Sequence, residues 1–524
     1  MMFSFQQRLW RYASIDDVWD YLKVIGPFFV LIPVLWVLDY LDLTYLLIGA
    51  LAIPYLFLSR FGLRFFDTAK SVKDAPRVLI YGAGEAGSRV YKELSSRKDV
   101  VGFFDDDSAK SVLRLHGKKI YTSDVLEVLH AQSIDEVVLA IPTLSNKQLL
   151  EKIQLLAKAK VALSVLPSFE EIDPKNYSLT PRAIKIEDVL GRKEVSLDLE
   201  GLSHFVQGKR IMVTGAGGSI GSELVRQLSM YDVNELILVD QYENGLFAIG
   251  QELMHAKAKI QLRVCSVVDK QSLQALFEET QPQIVYHAAA HKHVPLMEDA
   301  PWQAMQNNII GSYNVFQCAN EIGSEHVVVI STDKAVNPTN VMGATKRIVE
   351  RVMQTMSLQS NTVFSAVRFG NVLGSNGSVI PIFEQQIAKG GPVRVTHPEI
   401  KRYFMTIPEA VQLVLETSLY ASSGDIFVLD MGEPILIKDL AESMIRLAGF
   451  EPHEDIKIEY TGLRPGEKMF EELVIDADHM KKTANDKIVV ETAPIEPVDL
   501  TKILNQSYLK ELLKATIQPA KEGH

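Results

Sequence analysis

The segment Thr214–Gly221, which reads T-G-A-G-G-S-I-G, constrains the fold of this chain more than any other. It follows a mostly apolar run, 210–213, with the composition of a buried strand. Glycines spaced in this way let a chain turn sharply from a strand into a helix and let the backbone approach a pyrophosphate. Free N–H groups and the positive dipole at the start of that helix favour an anion. The segment therefore predicts an α/β domain with a Rossmann-type, doubly wound parallel sheet and a nucleotide at this turn.

Asp240 indicates which nucleotide binds, because it ends the next predicted strand, 235–239, nineteen residues after Gly221. A carboxylate there accepts hydrogen bonds from both hydroxyls of the adenosine ribose and repels a 2′-phosphate, so NAD is favoured over NADP. We predict that a strand at 264–268 closes the adenine pocket, and that small residues at the end of a strand at 285–290 leave room for the cofactor. The predicted NAD contacts are Gly215, Gly218, Ser219, Ile220, Gly221, Asp240, Ser266, Val267, Ala288 and Ala289.

A second glycine turn, Gly82–Gly87, follows a strand at 77–81 and predicts a smaller Rossmann-like domain ahead of the first. Asp105 ends the next strand, eighteen residues after Gly87. A lone G-x-G-x-x-G is weak evidence for binding, since the glycines can serve only strand–helix packing. Asp106 and Asp107 would also repel a phosphate, so a nucleotide-binding role and a structural role both stay open.

Two apolar runs, 24–38 and 43–58, precede this domain. Lysine and arginine flank the pair and are absent between them, a positive-inside pattern with both ends in the cytoplasm. Each run is shorter than the roughly 20 residues that comfortably span a bilayer. A spanning hairpin, a re-entrant hairpin and a buried hairpin of a soluble domain are the alternatives, and the charges favour the membrane. The expected organisation is a membrane-associated helical hairpin (1–70), a Rossmann-like domain (71–190), a catalytic domain with a substrate lobe (191–490) and a tail (491–524).

Composition excludes several other functions. A net charge of −11 argues against nucleic acid as the main partner. Two cysteines, Cys265 and Cys318, provide neither a disulfide framework nor the spacing of a zinc site, which fits a reducing compartment. We therefore predict no metal site.

A cluster of polar residues follows the predicted buried strand at 327–330: Ser331, Thr332, Asp333 and Lys334. Ligands of doubly wound sheets collect at the carboxyl ends of the strands, which makes this cluster the candidate catalytic site. The alternative is that Asp333 and Lys334 are a solvated loop pair that merely ends a strand.

These features resemble the extended short-chain dehydrogenase/reductase superfamily. They are most similar to the membrane-anchored nucleotide-sugar 4,6-dehydratases of bacterial polysaccharide and glycan biosynthesis, which act on UDP-N-acetylglucosamine. The resemblance covers about residues 77–480. It rests on T-G-A-G-G-S-I-G-S-E from Thr214, H-A-A-A-H-K-H-V-P-L-M-E from His287, S-T-D-K-A-V-N-P-T-N-V-M-G-A-T-K-R from Ser331, R-F-G-N-V-L-G-S-N-G-S-V-I-P from Arg368, R-Y-F-M-T-I-P-E-A from Arg402 and L-R-P-G-E-K from Leu463. Members usually carry about four membrane helices, whereas this chain has room for two.

The resemblance implies NAD-dependent removal of water across C5 and C6 of a UDP-N-acetylhexosamine, leaving a 4-ketone. It assigns Lys334 to the C5 proton, Asp333 to the C6 oxygen and Lys346 to the nicotinamide ribose. Opposite charges so close normally hold each other ionised. Because the reaction implied by the resemblance needs a base and an acid, we expect the pocket to push at least one of the pair towards its neutral form. Met342 stands where most members of the superfamily have a tyrosine, as it does in the large membrane-anchored subgroup. Thr332 then becomes the hydrogen-bond relay, and the final acceptor of the C4 proton stays open.

Candidate substrate contacts lie farther along the chain. Asn371 follows a strand near the sugar-phosphate site, Arg402 and Arg464 suit the diphosphate, and Glu467 suits the uridine ribose; each has a surface ion pair as its alternative. His293, in the run 291–293, is either a substrate contact or a solvated loop residue. The resemblance further implies a homo-oligomer at the bacterial inner membrane, with its catalytic domain facing the cytoplasm.

Two other functions compete with the dehydratase. A UDP-sugar 4-epimerase on the same scaffold needs no C5 base, so the Asp333–Lys334 pair argues against it. A non-catalytic, membrane-anchored sensor of NAD or a sugar nucleotide is favoured by Met342, but a sensor needs neither member of the acid–base pair.

Overall fold

The computed structural model describes residues 75–142, 144, 146–159, 161–166, 181–184, 198–475 and 479–519. The membrane hairpin predicted for residues 1–70 lies outside these ranges. Within them, no helix combines the length and the apolar character needed to cross a membrane. The chain divides into two compact units, Met1–Pro142 with Ser164–Arg182, and Thr143–Leu163 with Ala183–His524.

The first unit is built around a seven-stranded sheet with the order β3-β4-β2-β1-β5-β6-β7. The strands are β1 (Arg77–Tyr81), β2 (Asp99–Phe104), β3 (Arg114–Leu115), β4 (Lys118–Tyr121), β5 (Glu136–Leu139), β6 (Ala162–Val165) and β7 (Arg182–Ala183), and the helices are α1 (Glu85–Leu94), α2 (Val125–Ala131) and a 3-10 helix (Ser108–Val112). β1 is parallel to β2 on one side and to β5 on the other. This confirms the predicted Rossmann-like sheet.

The second unit contains a nine-stranded sheet with the order β10-β9-β8-β11-β12-β13-β18-β22-β21. These strands are β8 (Arg210–Thr214), β9 (Glu235–Asp240), β10 (Lys259–Val264), β11 (Ile284–His287), β12 (His326–Ile330), β13 (Val363–Arg368), β18 (Asp425–Leu429), β21 (Met480–Lys482) and β22 (Ile488–Glu491). The first seven in spatial order are parallel to one another. β22 is antiparallel to β18, and β21 is antiparallel to β22. The winding direction reverses between β8 and β11, where doubly wound sheets open a ligand crevice.

The second unit also contains helices, several of which contribute to the cores on the two faces of this sheet. They are α3 (Asn146–Ala157), α4 (Leu199–Val206), α5 (Ser219–Leu228), α6 (Glu243–Glu252), α7 (Lys270–Thr280), α8 (Val294–Asp299), α9 (Pro301–Ala304), a π-helix (Met305–Ile310), α10 (Gly311–Ile322), a 3-10 helix (Asp333–Ala335), α11 (Val341–Ser357), α12 (Val379–Ala388), α13 (Ile407–Tyr420), α14 (Ile437–Leu447), a 3-10 helix (Leu500–Lys502) and α15 (Gln506–Thr516). Ile211 and Val213 of β8 lie in the core on one face of the sheet, and Met212 lies in the core on the other face. This follows from the alternation of side chains along a strand.

Three further small strand pairs lie between residues 371 and 460. β14 (Asn371–Val372) pairs with β17 (Phe404–Met405), β15 (Val393–Val395) with β20 (Ile458–Tyr460), and β16 (Lys401–Arg402) with β19 (Ile435–Leu436). The C-terminal residues pack more closely than the tail that we predicted. Leu509 and Leu513 of α15 lie in the same core as Val349 of α11, because an amphipathic helix needs only one apolar stripe to be buried.

The strand predicted at 264–268 was placed too late in the sequence. β10 ends at Val264, and Ser266 and Val267 lie in the loop that follows. β10 is the edge strand of the sheet, with several partly exposed residues, so its own residues lack the continuous apolar run that marks a buried strand. Val267, in the loop after it, is buried for another reason, since it packs against Gly311.

A buried group of charges ties α11 to the middle of the sheet. Arg368, at the end of β13, donates from Nε and Nη2 to the two carboxylate oxygens of Glu350, each at 2.7 Å. The Ser331 hydroxyl donates to Glu350 Oε1 at 2.6 Å, and Glu491 Oε2 lies 3.1 Å from Arg368 Nη2. Glu350 and Arg368 are both fully buried. Removing one member leaves an uncompensated buried charge, which costs far more than a surface pair.

We expect Arg368→Met to lower the free energy of unfolding by about 3–5 kcal/mol, because Glu350 and Glu491 would stay buried without the guanidinium that lies between them. Arg263→Met is the matched control. Arg263 pairs with Glu279 across 2.7 Å at the surface, so its loss should cost at most about 1 kcal/mol. Denaturant titration of both variants measures the difference, and equal stabilities would contradict this role for the buried pair.

Candidate active site

The glycine turn after β8 has the geometry that a dinucleotide requires. Gly215 has a φ of 75°, and a Cβ there would lie 2.6 Å from the Ala289 backbone nitrogen. A Cβ at Gly221 would lie 2.0 Å from the Gly215 oxygen, so only glycine lets α5 start this close to the turn. α5 begins at Ser219 without a side-chain cap, which leaves its first N–H groups available to an anion. Gly215, Gly218 and Gly221 therefore fit a pyrophosphate.

Asp240 is held at this turn by two backbone hydrogen bonds. Its Oδ2 accepts from the Gly217 N–H at 2.9 Å, and its Oδ1 accepts from the Tyr242 N–H at 2.8 Å. Each carboxylate oxygen has a further lone pair for a ribose hydroxyl. In the first unit, the corresponding Asp105 accepts from the Ala83 N–H at 2.9 Å and from Lys110 Nζ at 2.8 Å. A cation already occupies the carboxylate there.

The other predicted cofactor residues surround the turn through their backbone. Ala288 donates its N–H to the Thr214 oxygen at 3.0 Å, and Ala289 is the residue whose backbone excludes a side chain at position 215. Val267 is buried, so it can offer a nucleotide only its backbone. The Ser219 hydroxyl accepts from the Asn376 N–H at 3.3 Å, which brings the loop after β14 to the start of α5.

The predicted catalytic residues lie together after β12. The Ser331 N–H donates to the Val367 oxygen at 2.8 Å, and the Asp333 N–H donates to the Phe369 oxygen at 3.1 Å. These bonds keep the chain alongside β13 past the end of the strand. A 3-10 turn then begins at Asp333, which turns both charged side chains into the protein. The alternative of a solvated loop pair is therefore wrong.

Asp333 is the centre of a short hydrogen-bond group. It is fully buried, and its Oδ1 accepts from the Thr332 hydroxyl at 2.8 Å and from Lys334 Nζ at 3.0 Å. Lys334 Nζ also donates to Asn371 Oδ1 at 3.3 Å. Asp333 Oδ2 is buried and has no hydrogen-bond partner within the described ranges. This oxygen therefore keeps unused hydrogen-bond acceptor capacity.

The charge state of the pair differs from the sequence-based expectation. Burial alone would lower the pKa of Lys334, but the carboxylates of Asp333 and Glu471 outweigh it and raise that pKa above its ordinary value. Lys334 is therefore an ammonium ion in the ligand-free protein. The group driven towards neutrality is Glu471, whose carboxyl pKa is raised by burial. Attraction between opposite charges at 3.0 Å exceeds the burial cost that we expected to dominate.

Lys346 and Met342 lie one turn apart on α11. Lys346 Nζ donates to the Ile330 carbonyl at 2.7 Å, and burial lowers the pKa of this lysine to about 8. Met342 is buried in the core beside α11 and supplies no titratable group. Behind them His287 accepts or donates at Thr214 (2.6 Å) and Ser312 (2.8 Å), and burial lowers its pKa to about 3. His287 is thus a neutral structural link rather than a base.

Of the predicted substrate residues, Arg402 and Glu467 bind each other. Arg402 Nη2 lies 3.3 Å from Glu467 Oε1, and the guanidinium also donates to the carbonyls of Lys401, Lys468 and Met469. Arg402 therefore holds the chain segment 467–469, and the predicted diphosphate role is not supported by its geometry. Nη1 and Nη2 each donate to two internal acceptors, and Nε lies 3.8 Å from Glu471 Oε1.

The remaining predicted contacts are more accessible. Arg464 is exposed, and its backbone N–H donates to Glu467 Oε2 at 3.1 Å. His293 is the N-cap residue of α8. Its ring lies against Gly377, where an added Cβ would lie 2.5 Å from His293 Cε1. Arg464 keeps a free guanidinium for an anion within the part of the chain that the structure describes.

Glu471 is the site residue that sequence analysis missed. Its Oε1 lies 3.8 Å from Lys334 Nζ and 3.8 Å from Arg402 Nε. The sequence held one signal, a pair of glutamates, Glu471 and Glu472, just after the L-R-P-G-E-K motif. Glu472 turns instead to Asn337, which donates to it at 2.9 Å. Only the folded structure distinguishes the two.

Comparisons with known proteins match this architecture. A family model described as a polysaccharide biosynthesis protein matches residues 211–493. A probable polysaccharide biosynthesis protein, EpsC, of Bacillus subtilis (strain 168) is 42% identical over 472 residues, covering 88% of this chain and 77% of that protein. A UDP-glucose 4-epimerase of Rickettsia akari (strain Hartford) is 33% identical over 281 residues, covering 52% of this chain and 80% of the epimerase. The X-ray structure of Pen from Bacillus thuringiensis superposes with a TM-score of 0.52 at 32% identity, covering 56% of this chain and 92% of Pen.

We expect Asp240→Ala to weaken NAD binding roughly tenfold to a hundredfold, because a hydrogen bond to a charged group contributes about 1.5–3 kcal/mol. The same change should narrow the preference for NAD over NADP. Asp105→Ala is the matched control and should leave NAD affinity unchanged. Isothermal titration calorimetry of the full chain with each dinucleotide measures both effects. Equal losses in the two variants would show that this carboxylate is not the ribose ligand.

Proposed function

The chain belongs to the polysaccharide biosynthesis protein family, which confirms the family part of the resemblance drawn from its sequence, and from this premise we propose that it is an NAD-dependent 4,6-dehydratase of a UDP-N-acetylhexosamine. UDP-N-acetylglucosamine is the proposed substrate, and the UDP-4-keto-6-deoxy sugar is the proposed product. The chain is also related to UDP-glucose 4-epimerases, and we propose dehydration in place of epimerisation.

The buried Asp333–Lys334 pair carries this proposal. Dehydration across C5 and C6 needs one group to remove the C5 proton and another to protonate the departing C6 hydroxyl. The two side chains meet at 3.0 Å at the carboxyl end of β12, where ligands of such sheets bind. A 4-epimerase on this scaffold needs no C5 base, so burying a second charged side chain there would bring it only the cost of desolvation.

Gly215, Gly218, Gly221 and Asp240 would hold NAD at the turn after β8, where it would supply the hydride acceptor for C4 and the hydride donor for C6. The chain's own residues do the remaining work. Lys334, as an amine, takes the C5 proton, and Asp333, as a carboxylic acid, protonates the C6 oxygen. Thr332 places a hydroxyl beside the C4 oxygen in place of the tyrosine that Met342 replaces.

Binding of the sugar nucleotide falls to residues at the open side of the site. Asn371 bonds Lys334 and, through its own Nδ2, the Tyr403 oxygen at 3.1 Å, so it fixes the position of the amine. Arg464 is the proposed partner of the diphosphate, because a guanidinium suits phosphate oxygens. We also propose that residues 1–70 anchor the chain at the cytoplasmic face of the bacterial inner membrane.

We expect Lys334→Met and Asp333→Asn each to lower turnover by at least about 100-fold, the usual contribution of a general acid or base. The full chain is incubated with UDP-N-acetylglucosamine in deuterated water, and the sugar is followed by NMR and mass spectrometry. Lys502→Met, in an exposed turn, is the control and should retain activity.

The products of the unchanged protein distinguish the three candidate functions. Loss of water, a C4 ketone and deuterium at C5 are expected. A C4 epimer without loss of water would replace the proposal by a 4-epimerase. Tight NAD binding with every UDP-N-acetylhexosamine unchanged would replace it by a sensor.

A further inference from the structure

Glu471 is a buried carboxyl without a close partner. Its side chain is 4% exposed, and Lys334 and Arg402 approach its Oε1 no closer than 3.8 Å, beyond hydrogen-bonding distance. Its Oε2 has no hydrogen-bond partner among the residues described. An ionised carboxylate in such a place pays a desolvation cost that no hydrogen bond offsets. Burial therefore raises the pKa of this carboxyl above its ordinary value.

The charges around Glu471 explain why this matters. Lys334, Asp333, Arg402 and Lys468 are the charged groups that face it, and all act on its carboxyl pKa. Arg402 is committed to Glu467 at 3.3 Å, and Lys468 Nζ donates to the Val336 oxygen at 2.9 Å. Lys334 is thus the cation whose charge responds to Glu471. A second full negative charge 3.8 Å away would stabilise its ammonium form further.

We propose that Glu471 controls the charge of the acid–base pair: while its carboxyl carries a proton, the proton of Lys334 Nζ can pass to Asp333 Oδ1, and loss of the Glu471 proton holds Lys334 as an ammonium ion. In this transfer an N–H bond of Lys334 breaks and an O–H bond of Asp333 forms, with no net change in charge. The products are the amine and the carboxylic acid that the proposed dehydration needs. The inference rests on that proposed function, and Glu471 is a positioning residue that acts through Lys334.

The proposal predicts an unusual pH dependence. An isolated lysine base becomes more active as pH rises. Here C5 proton removal falls at alkaline pH, because ionised Glu471 stabilises the ammonium form. The falling limb of turnover belongs to Glu471, whose pKa is raised by burial.

Glu471→Gln tests this, because the amide has the same shape and never ionises. We expect it to retain turnover near neutral pH and to lose the alkaline fall in turnover over the pH range in which Glu471 ionises, because no negative charge then forms beside Lys334. Glu472→Gln is the matched control, since its neighbouring carboxylate binds Asn337, and its profile should not move. An unchanged alkaline fall in Glu471→Gln, or its loss in both variants, would overturn the proposal.

A second measurement does not depend on turnover. Lysine labelled with ¹³C at Cε reports the titration of Lys334 by NMR, and Lys334→Met identifies its resonance. The pKa of Lys334 should fall by at least about one unit in Glu471→Gln and in Glu471→Met, since both lack the charge. An unchanged titration in either folded variant would refute the role of Glu471. Failure of the dehydratase assay alone, with this shift present, would instead refute the proposed reaction.

Discussion

The buried ion pair between Glu350 and Arg368 determines where the reactive side chains lie. Its two 2.7 Å bonds join α11 to β13, and the Ser331 hydroxyl joins the same carboxylate to the residue before Thr332. Lys346 lies one turn before Glu350 on α11, so its reach to the Ile330 carbonyl follows from the same attachment. A buried pair is costly to desolvate and gains its value from geometry. Here that geometry sets the spacing between the helix and the ends of two neighbouring strands.

The segment 464–472 forms a second attachment, on the open side of the catalytic loop. The Gly466 oxygen accepts from the side chains of Thr339 (3.0 Å) and Asn340 (3.2 Å), and Lys468 reaches the Val336 oxygen. These bonds replace solvent around a loop that would otherwise expose its carbonyls. The segment also brings Glu471 to Lys334. The charge state of the pair thus depends on residues remote in sequence from the loop that contains it.

Features set by local chain geometry were predictable from the sequence. The turn at Gly215, the acid at Asp240 and the meeting of Thr332, Asp333 and Lys334 after a strand all follow from glycine spacing and strand ends. The sequence did not predict where β10 ends, which acceptors Arg402 binds, or that Glu471 lies near Lys334. They depend on which carbonyls and carboxylates tertiary packing brings near, and neither periodicity nor motif spacing contains that information. The expectation that the pocket pushes one of the pair towards its neutral form took no account of the Glu471 carboxyl, which helps to raise the pKa of Lys334.

Met342 changes where proton-transfer capacity resides. A tyrosine at this place would put a phenol beside Lys346, whereas the buried thioether leaves this lysine bonded to a neutral carbonyl, with a pKa of about 8 set by burial. The other ionisable groups of the site are the carboxyls of Asp333 and Glu471 and the ammonium of Lys334, which share one desolvated region. Charges this close stabilise or destabilise one another. Because a thioether cannot take up a proton, the proposed reaction must draw its proton-exchanging groups from the cluster around Lys334 and not from position 342.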